Sequence, residues 1–264
     1  MQAQKQFYSD PFFHIKKLGG AIIFSASCCF ALYQIRPDEF YQFSFSLELL
    51  LLLPLAFYIG GLSVVFIHNA THDSFPIKIL NPLLGHLSGM HQLWGFTGWK
   101  LIHVYHHQYV DHPDRDPHTP LQRTFTEYMK CMYSHPSQVI SKRYYEHWGD
   151  TPETRTRRKI SFTLFLTLLI CNLSLWYLLL GPEGMLFFYL PSYIMSYFVF
   201  AHLNYYGHPY DSKTGKSEAV NIDEGWYYKF ANLFWFGLYY HANHHKKPML
   251  FNPKYMPTAK KVAA

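Results

Sequence analysis

Four long apolar runs, at residues 18–35, 45–67, 160–181 and 185–206, alternate with polar stretches along the chain. A helix needs about 20 apolar residues to cross the hydrocarbon of a bilayer. Each run therefore predicts a membrane-spanning helix. Lys16 and Lys17 flank the first run as they would flank a signal peptide, but no small-residue cleavage site clearly ends it before Arg36. It reads as a retained helix.

Residues 79–99 are also long enough to cross, yet they carry His86, His91, Gln92 and four glycines. A crossing there would place the histidines before and after it on opposite sides of the membrane. An interfacial or re-entrant segment is the expectation. The tail over 246–264 is rich in Pro and Lys and reads as irregular. The fold class that follows is an all-α membrane protein, one domain over residues 1–264. Four transmembrane helices carry a helical cap formed by 68–159 and 207–264.

Composition agrees with this layout. The chain is 49% hydrophobic and 19% aromatic, while its mean hydropathy is close to zero. Apolar spans must therefore coexist with a large polar part. Placing the N-terminus in the cytoplasm puts 22 of the 23 Lys and Arg residues, and 13 of the 17 Asp and Glu, on the cytoplasmic side. That is the bias of the positive-inside rule. Both termini and the cap are then cytoplasmic, in a bacterial inner membrane or the endoplasmic reticulum. Anionic lipid headgroups account for such a basic face, and a docking surface for an acidic electron carrier is the alternative. Cys28, Cys29, Cys131 and Cys171 show no Cys-x-x-Cys spacing, so neither a disulfide framework nor an iron–sulfur site is expected.

Seventeen histidines are present, and their spacing matters more than their number. His68 and His72 stand four apart where the second span ends, on one helix face. His103, His106 and His107 follow offsets of three and four, and His241, His244 and His245 repeat them. At the end of the fourth span, Asn204 and His208 are again four apart. His208 is the expected ninth metal ligand and Asn204 the partner of a metal-bound water, whereas His202 lies off that face and reads as structural.

Neutral imidazoles suit iron, zinc, copper or nickel. One zinc takes three or four ligands, the His-Glu-x-x-His of zinc proteases is absent, and a haem needs only one or two axial ligands. Two Fe ions that activate O2 use all the donors. The alternative of another class is a non-catalytic membrane metal-binding protein or a transporter; a transporter would place ionisable residues in the middle of its spans, and those middles are apolar.

These boxes resemble the membrane fatty-acid desaturase superfamily. The segment from His103 through His106 and His107 to Asp111 and then Asp116-Pro117-His118 resembles the acyl-CoA desaturase pattern. His68-Asn69-Ala70-Thr71-His72, with Ser74-Phe75 close by, is nearer to the acyl-lipid branch. Asn204 with His208, and the closing His241-Ala242-Asn243-His244-His245, have counterparts too. The likeness runs over about residues 66–248. Two features depart from the acyl-CoA branch: its first box usually has one more residue, and Phe236-Gly237-Leu238-Tyr239-Tyr240 stands where it has Gly-Glu-Gly.

The resemblance implies a fatty-acyl desaturase. Two irons, cycling between Fe2+ and Fe3+ with O2 as co-substrate, would remove hydrogen from an unactivated methylene and then from its neighbour. The acyl group would arrive on coenzyme A, on a lipid or on an acyl carrier protein. Asp111 and Asp116 are candidates for orienting the ligating imidazoles, with turn capping as the other reading, and His118 is left outside the ligand set. Trp94, Phe96, Trp99, Trp226, Phe230, Phe234 and Trp235 could wall an acyl channel or form an interfacial belt. No dinucleotide fingerprint, iron–sulfur cysteines or fused cytochrome motif is seen, so electrons are expected from a separate ferredoxin, rubredoxin or b-type cytochrome. Hydroxylases, ketolases and decarboxylases share these boxes; the Asp-Pro-His extension favours desaturation.

Overall fold

A computed structural model describes residues 2–120, 123–211 and 216–256. The chain opens with a short helix α1 (Gln2–Ser9) and the long apolar α2 (Phe13–Ile35). Two 3-10 turns lead into α3 (Leu52–Thr71), followed by α4 (Leu80–His91), α5 (Phe96–Gln108), α6 (Phe125–Cys131) and α7 (Ser134–Trp148). Then come α8 (Pro152–Gly184), a π-helical turn (Met185–Tyr189) and α9 (Leu190–Gly207). A two-residue ladder of β1 (Tyr210–Asp211) with β2 (Lys216–Ser217) precedes α10 (Trp226–Phe234) and α11 (His241–Lys246). Apart from that ladder, the regular structure among the described residues is helical.

Three helical stretches are long and apolar enough to cross a membrane: Phe13–Ile35, Leu47–Thr71 and Pro152–Gly207. The third is broken inside. Gly181 takes φ 70° and ψ 178°, a conformation that only glycine adopts readily, and Pro182 follows it. The Trp176 and Tyr189 rings stack with centroids 5.3 Å apart. An unbroken helix would separate residues at that spacing by about 20 Å. The chain therefore reverses near Gly181, and the predicted runs 160–181 and 185–206 fall on the two arms of this turn.

The other predicted runs also fall in helices. Residues 18–35 lie within α2, while 45–67 enters regular α-helix only at Leu52 and the helix continues to Thr71. The stretch 79–99 is two helices rather than one, because Leu93 and Gly95 turn the backbone to φ 60° and 73°. Its first part, α4, has 12 residues and is about 18 Å long, too short to span. Of the tail, residues as far as Met256 are described, with a 3-10 turn at Pro253–Tyr255; 257–264 lie outside the described residues. The four cysteines are unpaired.

Packing joins α2 to α8, and α3 to both α9 and α4. Between the first pair, buried Ser25 donates to Asn172 Oδ1 at 2.8 Å, an interhelical bond of the kind that holds apolar helices together. Large apolar side chains such as Ile23, Phe24, Phe30 and Ile35 on α2 remain exposed, as lipid-facing positions would. Val64, Ile67, Trp99, Val199, Leu203 and Tyr239 are buried in one core joining α3, α5, α9 and the segment before α11. A smaller core of Phe7, Leu101, Tyr105, Ile140 and Tyr144 fixes α1, α5 and α7. These contacts bring the ends of α3 and α9 against α5 and α11.

Candidate metal centre

Four segments deliver the histidines. The last turn of α3 carries His68, and the helix ends at Thr71, so His72 sits in its cap with φ −94°. Helix α5 carries His103, His106 and His107. Helix α9 stops at Gly207, leaving His208 just beyond it at φ −126°, and α11 carries His241, His244 and His245.

The nine imidazoles divide into two groups, in each of which the donor atoms all lie within 4.8 Å of one another. His68, His72, His103, His107 and His244 form one; His106, His208, His241 and His245 form the other. Each His-x-x-His-His box is therefore split. His103 and His107, one turn apart, serve the first group, while His106 faces the second. His241 and His245 serve the second, while His244 faces the first. The groups adjoin, with the His107 and His245 ring centroids 4.5 Å apart.

Distances inside the groups suit ligation. His103 Nε2 stands 2.9 Å from His72 Nε2 and 3.1 Å from His107 Nε2, and His244 Nε2 is 2.9 Å from His107 Nε2. In the second group, His241 Nε2 lies 2.8 Å from His208 Nε2 and 3.1 Å from His245 Nε2. Two nitrogens bound at right angles to one ion at about 2.1 Å would be about 3 Å apart. Nε2 of His68 and of His106 are buried without hydrogen-bond partners, a costly state unless something binds them. The all-nitrogen donor set, with no thiolate or carboxylate in either group, fits a transition metal such as iron.

Burial keeps seven of these rings neutral. It pulls His72 and His245 down to about 2, and His103, His106, His107, His241 and His244 well below the ordinary histidine value. Neighbouring imidazoles add to the effect, since one proton on any of them repels the next. A neutral imidazole is the form that binds a metal.

Both expected aspartates lie against the second group. Asp116 is fully buried; its two carboxylate oxygens each stand 2.9 Å from His106 Nδ1. It also accepts from the backbone N–H of Asp111 at 2.7 Å and of His118 at 2.8 Å. Burial raises its pKa to about 6 while the charge of His118 and those N–H groups oppose the rise. Asp111 Oδ2 stands 2.9 Å from His208 Nδ1. Each carboxylate thus takes the Nδ1–H of one imidazole and leaves its Nε2 for the cluster, the arrangement that fixes tautomer and ring direction at metal sites. Asp111 adopts φ 57°, which lets its backbone N–H face one carboxylate while its side chain reaches the imidazole.

Asn204 is buried one turn before His208, its amide donating to the Phe200 carbonyl at 2.9 Å. His202 belongs to neither group; its Nδ1 stands 3.0 Å from the Tyr239 hydroxyl. His118 also belongs to neither, although it is buried between Trp99 and Phe200 with its ring 5.6 Å from that of His106. Gly207 is a packing requirement: a Cβ there would come within 2.9 Å of His241 Cδ2. The seven aromatic candidates scatter. Trp99 and Trp235 are buried, Trp226, Phe230 and Phe234 are exposed, and Trp94 and Phe96 line a separate cavity. Unforeseen were the stacking of Trp99 on His103, at 5.9 Å and 7° between planes, and the contact of His135 Nε2 with the Asp116 carbonyl oxygen at 3.2 Å. Tryptophan one turn before His103 was the available signal for the first; nothing local marks the second.

An apolar helical protein with membrane-length stretches and two groups of imidazoles able to hold metal is the class that fold and site define. Residues 45–264 match the family described as fatty acid desaturase, and the chain belongs to that family. Among curated proteins it is similar to the sn-1 oleoyl-lipid 12-desaturase of Picosynechococcus sp., with 32% identity over 114 residues, covering 40% of this chain and 30% of the relative. The alignment thus spans less than a third of that protein's length. No solved structure matches the chain.

Proposed function

We propose that this protein is an O2-dependent fatty-acyl desaturase whose nine imidazoles hold two irons. The observation that carries the reading is the division of nine buried or half-buried histidines into two adjoining groups in a chain of the fatty acid desaturase family. His68, His72, His103, His107 and His244 would hold one ion, and His106, His208, His241 and His245 the other, with Asn204 beside a bound water. Bound irons would supply the activation of dioxygen needed to break unactivated C–H bonds.

The chain's own contribution is to bury the imidazoles, which keeps His103, His106, His107, His241 and His244 neutral, and to aim His106 and His208 through Asp116 and Asp111. Converting CH2–CH2 to CH=CH with reduction of O2 to two waters leaves a pair of electrons and a pair of protons to come from outside. A separate ferredoxin, rubredoxin or b-type cytochrome would supply the electrons. The acyl-lipid features of the first box and the lipid desaturase relative favour a lipid-borne acyl chain over coenzyme A or an acyl carrier protein.

Counting the two arms about Gly181 as separate crossings gives four spans. The ends of α3 and α9 that carry histidines then lie on the same side as both termini, the cytoplasmic side by charge. Tag accessibility from either side of sealed vesicles tests this, and tags on opposite sides would exclude it.

Metal content and the lipid products of cells expressing wild type and His107→Ala test the activity. Iron in both groups, with products lighter by two hydrogens that vanish in the variant, is the expected outcome. Products heavier by one oxygen would move the protein to the hydroxylases of the same superfamily, and an iron-free protein would sink both readings.

A further inference from the structure

A cavity of about 620 Å³ lies where α2 and α8 meet α5 and α7. That volume is within the range of sites that bury small ligands, about 300–1,000 Å³. None of the nine imidazoles lines it. Helix α5 separates the two sites: Leu101 faces the cavity, and His103, two residues on, points about 200° away around the helix.

The walls differ in character from one end to the other. Leu18, Ala21, Phe165 and Leu168, from α2 and α8, make an apolar wall. Lys17, His14 and Arg158 make a cationic and polar end with Ser134, Ser137 and Gln138 of α7. A second hollow shares Ser137, Arg158 and Phe162 with the first and adds Arg155, Lys159 and Asp150, so the cationic end opens toward a basic vestibule.

The charges there are not all satisfied by the protein. Asp150 binds Arg155 through both carboxylate oxygens, at 2.7 and 2.9 Å. Arg158 instead donates to the Ser141 hydroxyl at 2.6 Å. Among the described residues no carboxylate lies within ion-pair distance of Arg158, Lys17 or Lys159. The His14 ring is wedged edge-on against Phe7 and Phe13, and its Nε2 is buried without a hydrogen-bond partner. A half-buried guanidinium beside a lysine and an unpartnered imidazole nitrogen calls for an anion with several acceptor oxygens. The apolar wall between two membrane-length helices calls for a hydrocarbon chain on the same molecule.

We infer that this cavity is a binding site for an anionic membrane phospholipid, its phosphate on Arg158, Lys17 and His14 and one acyl chain between α2 and α8. The site is distinct from the imidazole groups, and the inference goes beyond the proposed activity without depending on it. A lipid held there braces the back of α5, the helix that carries three of the imidazoles on its other face.

The test uses the full chain purified in detergent, stripped of lipid, and given phosphatidylglycerol, phosphatidylcholine or inorganic phosphate. Native mass spectrometry counts retained lipid, and thermal unfolding reports stabilisation. Wild type is expected to retain phosphatidylglycerol in preference to phosphatidylcholine, and Arg158→Gln to bind it about tenfold more weakly, the effect of losing one charged hydrogen-bond partner. Ala21→Trp fills the apolar end and is expected to abolish lipid retention while leaving inorganic phosphate binding intact. Unchanged helical circular dichroism and a single size-exclusion peak in both variants show that each is folded; Lys17→Gln replaces Arg158→Gln if that variant fails this check, and Leu168→Trp replaces Ala21→Trp. Equal retention of the two lipids by wild type, or undiminished retention in the variants, overturns the site. Stabilisation by inorganic phosphate as large as by phosphatidylglycerol overturns the acyl-chain half of the assignment.

Discussion

Asp111 and His208 lie 97 residues apart in the chain, yet the Asp111 carboxylate and His208 Nδ1 are 2.9 Å apart. Asp116 does the same for His106. Both orienting carboxylates serve the four-histidine group, so that group is the more dependent on groups outside its ligands. Asp116→Asn and Asp111→Asn are expected to lower metal affinity there by about 10–100-fold while the five-histidine group keeps its metal. Metal titration of each variant checks this, and equal loss from both groups would contradict it.

The partition of the imidazoles makes a second prediction. His68→Ala and His208→Ala each remove a ligand from a different group. Each variant is expected to retain about half of the wild-type metal and, if the proposed two-iron desaturase reading holds, to lose lipid oxidation altogether. Loss of all metal from either single variant would show that the groups do not load independently.

Gly207 leaves no room for a side chain beside His241. Gly207→Ala should displace that ring or the end of α9, at a cost of about 1–3 kcal/mol. Thermal unfolding and metal content should fall together. A variant with wild-type values in both would place His241 outside the ligand set.

Buried neutral histidines also make the metal-free protein acid-sensitive. Their folded values lie far below the unfolded value of about 6.5, with His72 and His245 at about 2. The unfolded chain therefore binds more protons, and stability falls as pH drops below about 6.5. At about pH 5.5 each such imidazole removes about 1.4 kcal/mol. The unfolding temperature of metal-free protein should drop steeply between about pH 7 and 5.5. Replacing His72 and His245 by Gln, which removes both titrations, should flatten that slope.

Much of the site was legible because helical offsets of three and four are visible in sequence. His103 with His107, and His241 with His245, share a group because they share a face. The division of neighbours was not legible. His106 and His107 are adjacent in sequence but about 100° apart on α5, and which group each meets depends on where α3, α9 and α11 arrive. The Asp111–His208 contact is hidden for the same reason. In the fold, the reversal near Gly181 follows from a Gly-Pro pair between two apolar runs. The interruption of 79–99 was legible only in part, because Gly95 with φ 73° is a residue type that announces a turn whereas Leu93 with φ 60° is not.

The splitting of the boxes has a mechanical corollary. Because His106 and His107 of one short helix look toward different groups, a rotation of α5 that draws one imidazole group together pulls the other apart. The same holds for α11 through His244 and His245. Two rods, each gripped by both halves of the centre, lock one another's angle, so the pair of sites can tolerate drift in the surrounding cap but not a twist in either rod.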